Sequence, residues 1–396
     1  LAPGTGDPGA NSPVATGRQM EDLNRGVVAV AVSNGVYVGW RLLGTESSTL
    51  GFNVYRDGVK INSQPITSST NYVDTAGTTS ATYTVRAVLN GQEQTSSETA
   101  KVWAQSYLTV PLKTLPGYTP NDASVGDLDG DGTYEIIVKQ EQTPRDNAQA
   151  GATGETLLEA YKLDGTFLWR INLGKNIREG AHYTQFLVYD FDGDGKAEVV
   201  CKTADGTVDG KGKVIGEANA NHRNANGYIL AGPEYLTVFD GLTGTALATA
   251  NYVPARGKLS AWGDTSGNRV DRFLATVAYL DGVRPSIVMS RGYYARSVLA
   301  AWNWRDGELK QVWTFDSNNH PGYAGQGNHN ISVGDVDSDG KDEIIFGAMA
   351  VDDNGAPCGP RDMATATPCT SPTSTRTGPG SSSSTSRRGP TTPGRT

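Results

Sequence analysis

The chain has 396 residues, a net charge of −8 and 3 cysteines. It carries no basic patch that would meet nucleic acid and no apolar run near the roughly 18 residues of a membrane span. Its many glycines and few methionines, 49 against 4, suit an all-β protein rich in turns.

Residues 1–17 are Pro, Gly, Ala and small polar residues without periodicity, and read as a flexible linker. Residues 18–104 alternate apolar and polar side chains at period two. Strands are predicted at Val27–Val32, Val36–Leu42, Gly51–Arg56, Asn71–Thr75, Tyr83–Leu89 and Ala100–Trp103, with hairpin turns at Asp57-Gly58 and Asn90-Gly91. This predicts a small fibronectin III-like β-sandwich, serving as a spacer packed on its neighbour or as a carbohydrate-binding module.

From Leu108 a repeat begins. Three copies of an acidic loop mark it: Asp127-Leu-Asp-Gly-Asp-Gly-Thr-Tyr-Glu135, Asp190-Phe-Asp-Gly-Asp-Gly-Lys-Ala-Glu198 and Asp335-Val-Asp-Ser-Asp-Gly-Lys-Asp-Glu343. In each, carboxylates stand at positions 1, 3, 5 and 9, and the glycine at position 6 permits a tight curl. The predicted metal ligands are Asp127, Asp129, Asp131 and Glu135; Asp190, Asp192, Asp194 and Glu198; and Asp335, Asp337, Asp339 and Glu343. An oxygen cage of this kind suits Ca2+, with several ions per chain. An EF-hand would carry its last ligand at position 12 between helices; here strands flank the loop. Unmetallated acidic hairpin turns are the other reading.

Each unit continues with a hairpin: Leu157–Lys162 with Phe167–Asn172, Tyr235–Phe239 with a strand from Ala246, and Val298–Trp302 with Leu309–Phe315. The third unit carries Asp281-Gly282 in place of an acidic loop. Four strands per repeated unit predict β-propeller blades over residues 105–357. The loops then lie on one face. The opposite face receives Asn121 and Asp122 with Lys139–Glu141, His182 and Tyr183 with Lys202–Gly206, Asp271 and Arg272 with Arg291–Tyr294, and Asn328–Asn330 with Met349–Asp353. Such a mixture of cations, carboxylates and aromatics suits an anionic sugar.

The segments Arg18-Gln-Met-Glu21, Asn121-Asp-Ala-Ser-Val-Gly-Asp127, Gly180-Ala-His-Tyr-Thr-Gln-Phe186, Gly232-Pro-Glu-Tyr-Leu-Thr-Val-Phe239 and Gly325-Gln-Gly-Asn-His-Asn330 resemble the rhamnogalacturonan lyases of polysaccharide lyase family eleven. The resemblance runs from Arg18 to about Pro357. It implies a secreted, extracellular, calcium-rich propeller of eight blades, about four of them present here, behind a small β domain. The implied reaction is β-elimination in the rhamnogalacturonan I backbone of pectin, at the bond from rhamnose to O4 of galacturonate. A base takes the C5 proton, and a cation must neutralise the adjacent carboxylate. By resemblance Asn121 contacts sugar, and Glu141 stands where the family carries Asp. Lys139, Lys202 and Arg291 are candidate substrate-facing cations, or are salt-bridged. His182 and His329 read as hydrogen-bonded rim residues. Asp122, and Asp205 with Asp209, are candidate ligands of a further calcium, or solvated carboxylates. The catalytic groups themselves are expected in later blades. A monomer acting on polysaccharide is expected, with neither nucleic acid nor membrane as partner.

After Pro357 the composition changes at once. Residues 358–396 contain no Val, Ile, Leu, Phe, Trp or Tyr and cannot bury a core. They read as an out-of-frame tail or a Ser/Thr/Pro-rich linker; because the late blades that the resemblance expects to carry the catalytic cations are missing, this exact chain is expected to be inactive or poorly folded. Cys201, in an apolar strand, is expected as a buried free thiol. Two other functions fit the same scaffold: a calcium-dependent propeller that binds glycan or matrix without catalysis, and a glycoside hydrolase using Asp122 and Glu141.

Overall fold

The computed structural model describes residues 17–358. The predicted linker at 1–16 and the predicted tail from 359 fall outside the described residues. Within them the chain is all-β, with two short 3-10 turns at Leu259–Trp262 and Ser317–Asn319.

The first eight strands are β1 (Val28–Val32), β2 (Gly35–Gly39), β3 (Gly51–Arg56), β4 (Val59–Lys60), β5 (Asn71–Asp74), β6 (Thr82–Leu89), β7 (Gln92–Ser96) and β8 (Ala100–Trp103). They bond in the order β4-β3-β6-β8-β1-β2-β5, with β7 added beside β6. Alternation along β6 buries Tyr83, Val85 and Ala87, which meet Val36, Val38, Phe52 and Val54 in one core. Asp57 and Asn90 adopt positive φ, 49° and 51°, ahead of Gly58 and Gly91, as the predicted hairpins require. Strands β4 and β7 escaped prediction because every residue in them is exposed and no apolar alternation marks them.

Four further sheets follow. The first takes β9 (Thr119–Gly126), β10 (Glu135–Glu141), β11 (Leu157–Tyr161) and β12 (Phe167–Asn172). The second opens with β13 (Phe186–Tyr189) and β14 (Glu198–Ala204). The chain then returns to the first sheet through β15 (Thr207–Val208) and β16 (Val214–Ile215), which pair outside β12. It completes the second sheet with β17 (Glu234–Phe239) and β18 (Ala246–Asn251). The third holds β19 (Ala275–Ala278), β20 (Ser286–Arg291), β21 (Val298–Arg305) and β22 (Glu308–Asp316). The fourth holds β23 (Ile331–Gly334), β24 (Glu343–Phe346) and β25 (Met349–Val351).

The first strands β9, β13, β19 and β23 lie in a row, and the sheets fan out from it with their faces stacked. Period two lets one strand serve two neighbours. Val199 and Cys201 pack on Ile137, Leu158 and Trp169 of the first sheet, while Val200 packs on Ile287 and Met289 of the third and on Phe273 just ahead of it. The third and fourth sheets meet through Val288, Leu299, Phe315, Ile344 and Phe346. Cys201 is a buried free thiol, as expected.

One end of the row carries the turns between first and second strands, including the three acidic loops. Residues 18–24 cross this end. Arg18 pairs with Asp342 at 3.1 Å, Gln19 N–H donates to Val283 O at 2.7 Å, Gln19 Nε2 donates to Asp190 O at 3.3 Å, and Asn24 N–H donates to Gly132 O at 2.9 Å.

Candidate functional site

The three acidic loops repeat one hydrogen-bond pattern. The first aspartate accepts backbone N–H groups across the turn: Asp127 from Gly130 and Gly132 at 2.8 and 2.7 Å, Asp190 from Gly193 and Gly195 at 2.7 and 3.0 Å, Asp335 from Asp339 and Gly340 at 3.1 and 3.0 Å. The final glutamate accepts the N–H that follows that aspartate, from Leu128, Phe191 and Val336 at 2.9, 2.9 and 2.6 Å. Ser338 takes φ 68° in the third loop, at the place of Gly130 and Gly193, and an L side chain there is uncommon.

These bonds crowd carboxylates together. Oxygens of Asp127, Asp129 and Glu135, of Asp190, Asp192 and Asp194, and of Asp335, Asp337 and Asp339 lie within 4.8 Å of one another. Asp131 and Glu198 stand outside those groups; Asp131 accepts Thr133 N–H at 2.8 Å. Burial, then the neighbouring carboxylates, raise Glu135 and Glu343 to about 7 and Glu198 to about 9. Glu343 Oε1 is buried without a hydrogen-bond partner. Hard oxygen donors at this density, one of them unpaired, fit a divalent cation such as Ca2+.

The opposite end gathers the other predicted residues into three clusters. In the first, Asn121 Nδ2 donates to Glu141 Oε2 at 2.8 Å, and Lys139 Nζ reaches Asp122 at 2.7 Å and Glu141 Oε1 at 3.6 Å. Lys139 is buried and Asp122 exposed. Burial raises Glu141 above its ordinary value, against the pull of Lys139. Glu179 closes the back, accepting the N–H of Gln142, Thr143 and Gly154 at 2.9–3.0 Å. Asp122 thus answers Lys139, and among the described residues it joins no group of three metal-capable side chains.

The second cluster is buried. Glu234 takes Arg291 Nη2 on both oxygens at 2.7 and 2.6 Å, Arg256 at 2.8 Å and Lys202 at 3.2 Å. Asp271 lies 4.0 Å from Arg256 and 3.9 Å from Arg291. Burial opposes ionisation of Glu234, yet Arg291, Lys202 and Arg256 hold it well below the carboxylate range. Lys202 also sits 3.9 Å from the centre of the Phe273 ring, and burial lowers its pKa. Glu234 and Arg256 line an open pocket of about 370 Å³ with Gly232, Pro233 and Tyr252. Arg291, 0% exposed, and Lys202 are committed to Glu234 and stand behind the surface where the sequence placed them. Sequence reasoning missed Glu234, Arg256 and Glu179; the only signal was the Gly-Pro-Glu that opens β17.

The third cluster joins His182 and His329, whose Nδ1 atoms lie 3.1 and 3.4 Å from Tyr293 Oη, with Arg272 donating to the same oxygen at 3.2 Å. Burial, then Arg272 and His329, depress His182.

Two sequence placements need correction. Asp352 and Asp353 do not reach this end. Gly347, at φ 65°, reverses the chain, so β25 carries them back to the acidic loops, where Lys341 holds Asp353 at 3.1 Å. Asp205 and Asp209 do not converge: Asp205 pairs with His222 at 2.8 Å, and Asp209 accepts the N–H of Lys211, Lys213 and Ala246.

The model of the rhamnogalacturonan lyase family 11 C-terminal domain matches residues 111–366. The chain belongs to rhamnogalacturonan lyase family 11. The model of the rhamnogalacturonan I lyases beta-sheet domain matches residues 18–103. Over 351 residues the chain is 62% identical to the rhamnogalacturonan endolyase YesW and 60% identical to the rhamnogalacturonan exolyase YesX, both of Bacillus subtilis strain 168; each match covers 85% of this chain, with 56% and 57% of those proteins. The crystal structure of YesW and the solved structure of a Bacillus licheniformis rhamnogalacturonan lyase PL11 each match with a TM-score of 0.81, at 62% and 65% identity, covering 86% and 87% of this chain and 60% and 61% of theirs. The chain therefore spans less than two thirds of the length of these family 11 relatives.

Proposed function

We propose that this chain is part of a secreted rhamnogalacturonan lyase that cleaves the rhamnogalacturonan I backbone of pectin by β-elimination. In this reading residues 18–104 form a fibronectin III-like domain, the four later sheets are blades of a β-propeller, and Ca2+ fills the acidic loops, as extracellular calcium levels allow. The observation that carries it is the family 11 match together with the cluster at Asn121, Lys139 and Glu141.

That cluster has the chemistry of a sugar site. Glu141 is buried, with Oε2 accepting Asn121 Nδ2 and Oε1 facing Lys139 at 3.6 Å, so it holds the exposed Asn121 amide in place for a sugar. Asp122 sets charge at the rim, with the buried Lys139 beneath it, next to where a galacturonate carboxylate would lie. Elimination leaves negative charge on that carboxylate as the C5 proton departs, and nearby fixed cations lower its cost. When bound, Ca2+ in the loops supplies charge compensation far from the sugar. The loops' own residues clamp the turns between first and second strands.

The test is to incubate the complete gene product with rhamnogalacturonan I and follow the ultraviolet absorbance of unsaturated galacturonyl ends. New absorbance with chain cleavage is the expected result. Cleavage with saturated ends alone would mean hydrolysis, and glycan binding without cleavage would mean a binding module.

A further inference from the structure

One sheet position faces the last glutamate of each acidic loop. Ile136 pairs with Tyr161, which sets Lys162 across from Glu135. Val199 pairs with Phe239, setting Asp240 across from Glu198, and Ile344 pairs with Val351, setting Asp352 across from Glu343. In the third sheet, which has no acidic loop, Ile287 pairs with Trp302, and the same position holds Ser286 and Asn303, bonded at 2.7 Å. The position thus carries a cation, a carboxylate, an amide and a carboxylate in turn.

Their behaviour differs. Lys162 Nζ pairs with Asp129 and lies 3.9 Å from Glu135. Asp240 turns into its own turn and accepts Thr243 N–H and Oγ1–H at 2.7 and 2.6 Å. Asp352 likewise accepts Asp353 N–H and Asn354 Nδ2–H in its own turn, at 2.9 and 2.6 Å, but it also brings an oxygen within 4.8 Å of those of Asp337 and Glu343. Glu343 is 0% exposed; its Oε2 accepts Val336 N–H at 2.6 Å, and its Oε1 has no hydrogen-bond partner. A buried, unpaired carboxylate oxygen beside two more carboxylates is costly unless a cation compensates it. Lys341 does not serve, since it holds Asp339 at 3.2 Å and Asp353 at 3.1 Å.

We propose that Asp352, from outside the loop, is a ligand of the hard divalent cation bound by the third acidic loop. The same cross-strand position grades the loops, and Lys162 acts in the first as a tethered counter-ion that weakens cation binding. This rests on the calcium reading given above.

The test strips the full chain with EDTA and titrates it with Tb3+, exciting tryptophan, and separately with Ca2+ by calorimetry. Trp313 Nε1 donates to Asp353 O at 2.7 Å and Trp304 interacts with Asp192 of the second loop, so the titration is run in a Trp304→Phe background, where tryptophan-sensitised emission reports the third loop. Asp352→Asn is expected to weaken that Tb3+ signal by about tenfold, since ligand charge sets affinity in such sites. Lys162→Met is expected to tighten the weakest Ca2+ step several-fold, a gain that misfolding cannot mimic. Asp240→Asn should leave every step within about twofold. Unchanged Tb3+ affinity in a folded Asp352→Asn chain, or no tighter step in Lys162→Met, overturns the proposal and leaves the calcium reading standing. Absence of any Ca2+ binding by the unaltered chain overturns both.

Discussion

Arg291 and Glu234 form the tightest buried contact of the site: one guanidinium nitrogen lies 2.7 and 2.6 Å from the two carboxylate oxygens, and Arg291 is 0% exposed. Arg256 and Lys202 converge on the same carboxylate. Glu234 therefore neutralises cations contributed by β14, β20 and the stretch after β18.

Glu234→Ala would strand those cations in a poorly hydrated interior. Removing one partner of a buried pair costs about 3–5 kcal/mol, so the denaturant midpoint should fall steeply. Glu234→Gln keeps the shape but not the charge and should lose nearly as much. A midpoint within experimental scatter of the parent for both variants would show that the network is dispensable.

Stability should respond to pH and metal together. Glu135, Glu198 and Glu343 are raised from 4.5 to about 7, 9 and 7. In metal-free protein the fold holds protons that the unfolded chain releases above its ordinary carboxyl value. The stability they contribute is present below that value and is lost as pH rises through the folded ones. The melting temperature in EDTA should fall between about pH 5 and pH 9, and calcium should remove most of that fall by favouring the ionised carboxylates. A metal-free melting temperature that climbs across the range would contradict this.

Asn121→Ala should weaken binding of rhamnogalacturonan I oligosaccharides by about tenfold, roughly the 1.4 kcal/mol of one hydrogen bond to a charged or polar group. Its effect on melting should be small, because Asn121 is exposed. Calorimetric titration reads the affinity. A large loss of stability without loss of affinity would assign Asn121 a structural role only.

The acidic loops were legible because their spacing is itself the hydrogen-bond pattern: Asp127, Asp190 and Asp335 need glycine, or Ser338 at positive φ, at fixed offsets. The strands with buried alternation, such as β6, were legible for the same reason, since period two appears in the letters. Glu234 was not legible, because its partners come from distant segments and nothing local marks a carboxylate that will meet three cations. Asp352 was misread because two residues, Gly347 and Ala348, decide whether the chain runs on or doubles back. Lys202 and Arg291 were assigned to the right end of their strands, but the sequence could not tell an exposed cation from one held behind the surface.

Arg18 bonds Asp342 across 324 residues, and this sets an order of assembly. The segment around Arg18 is made long before Asp342, and its berth there exists only when the fourth sheet has formed. It must wait through the synthesis of the 324 positions that separate the pair, and contacts of such long sequence separation form slowly. Docked, residues 18–24 touch the turns of all four sheets, at Gly132, Asp190, Val283 and Asp342, so the strip's berth is complete only after the last of these turns has folded.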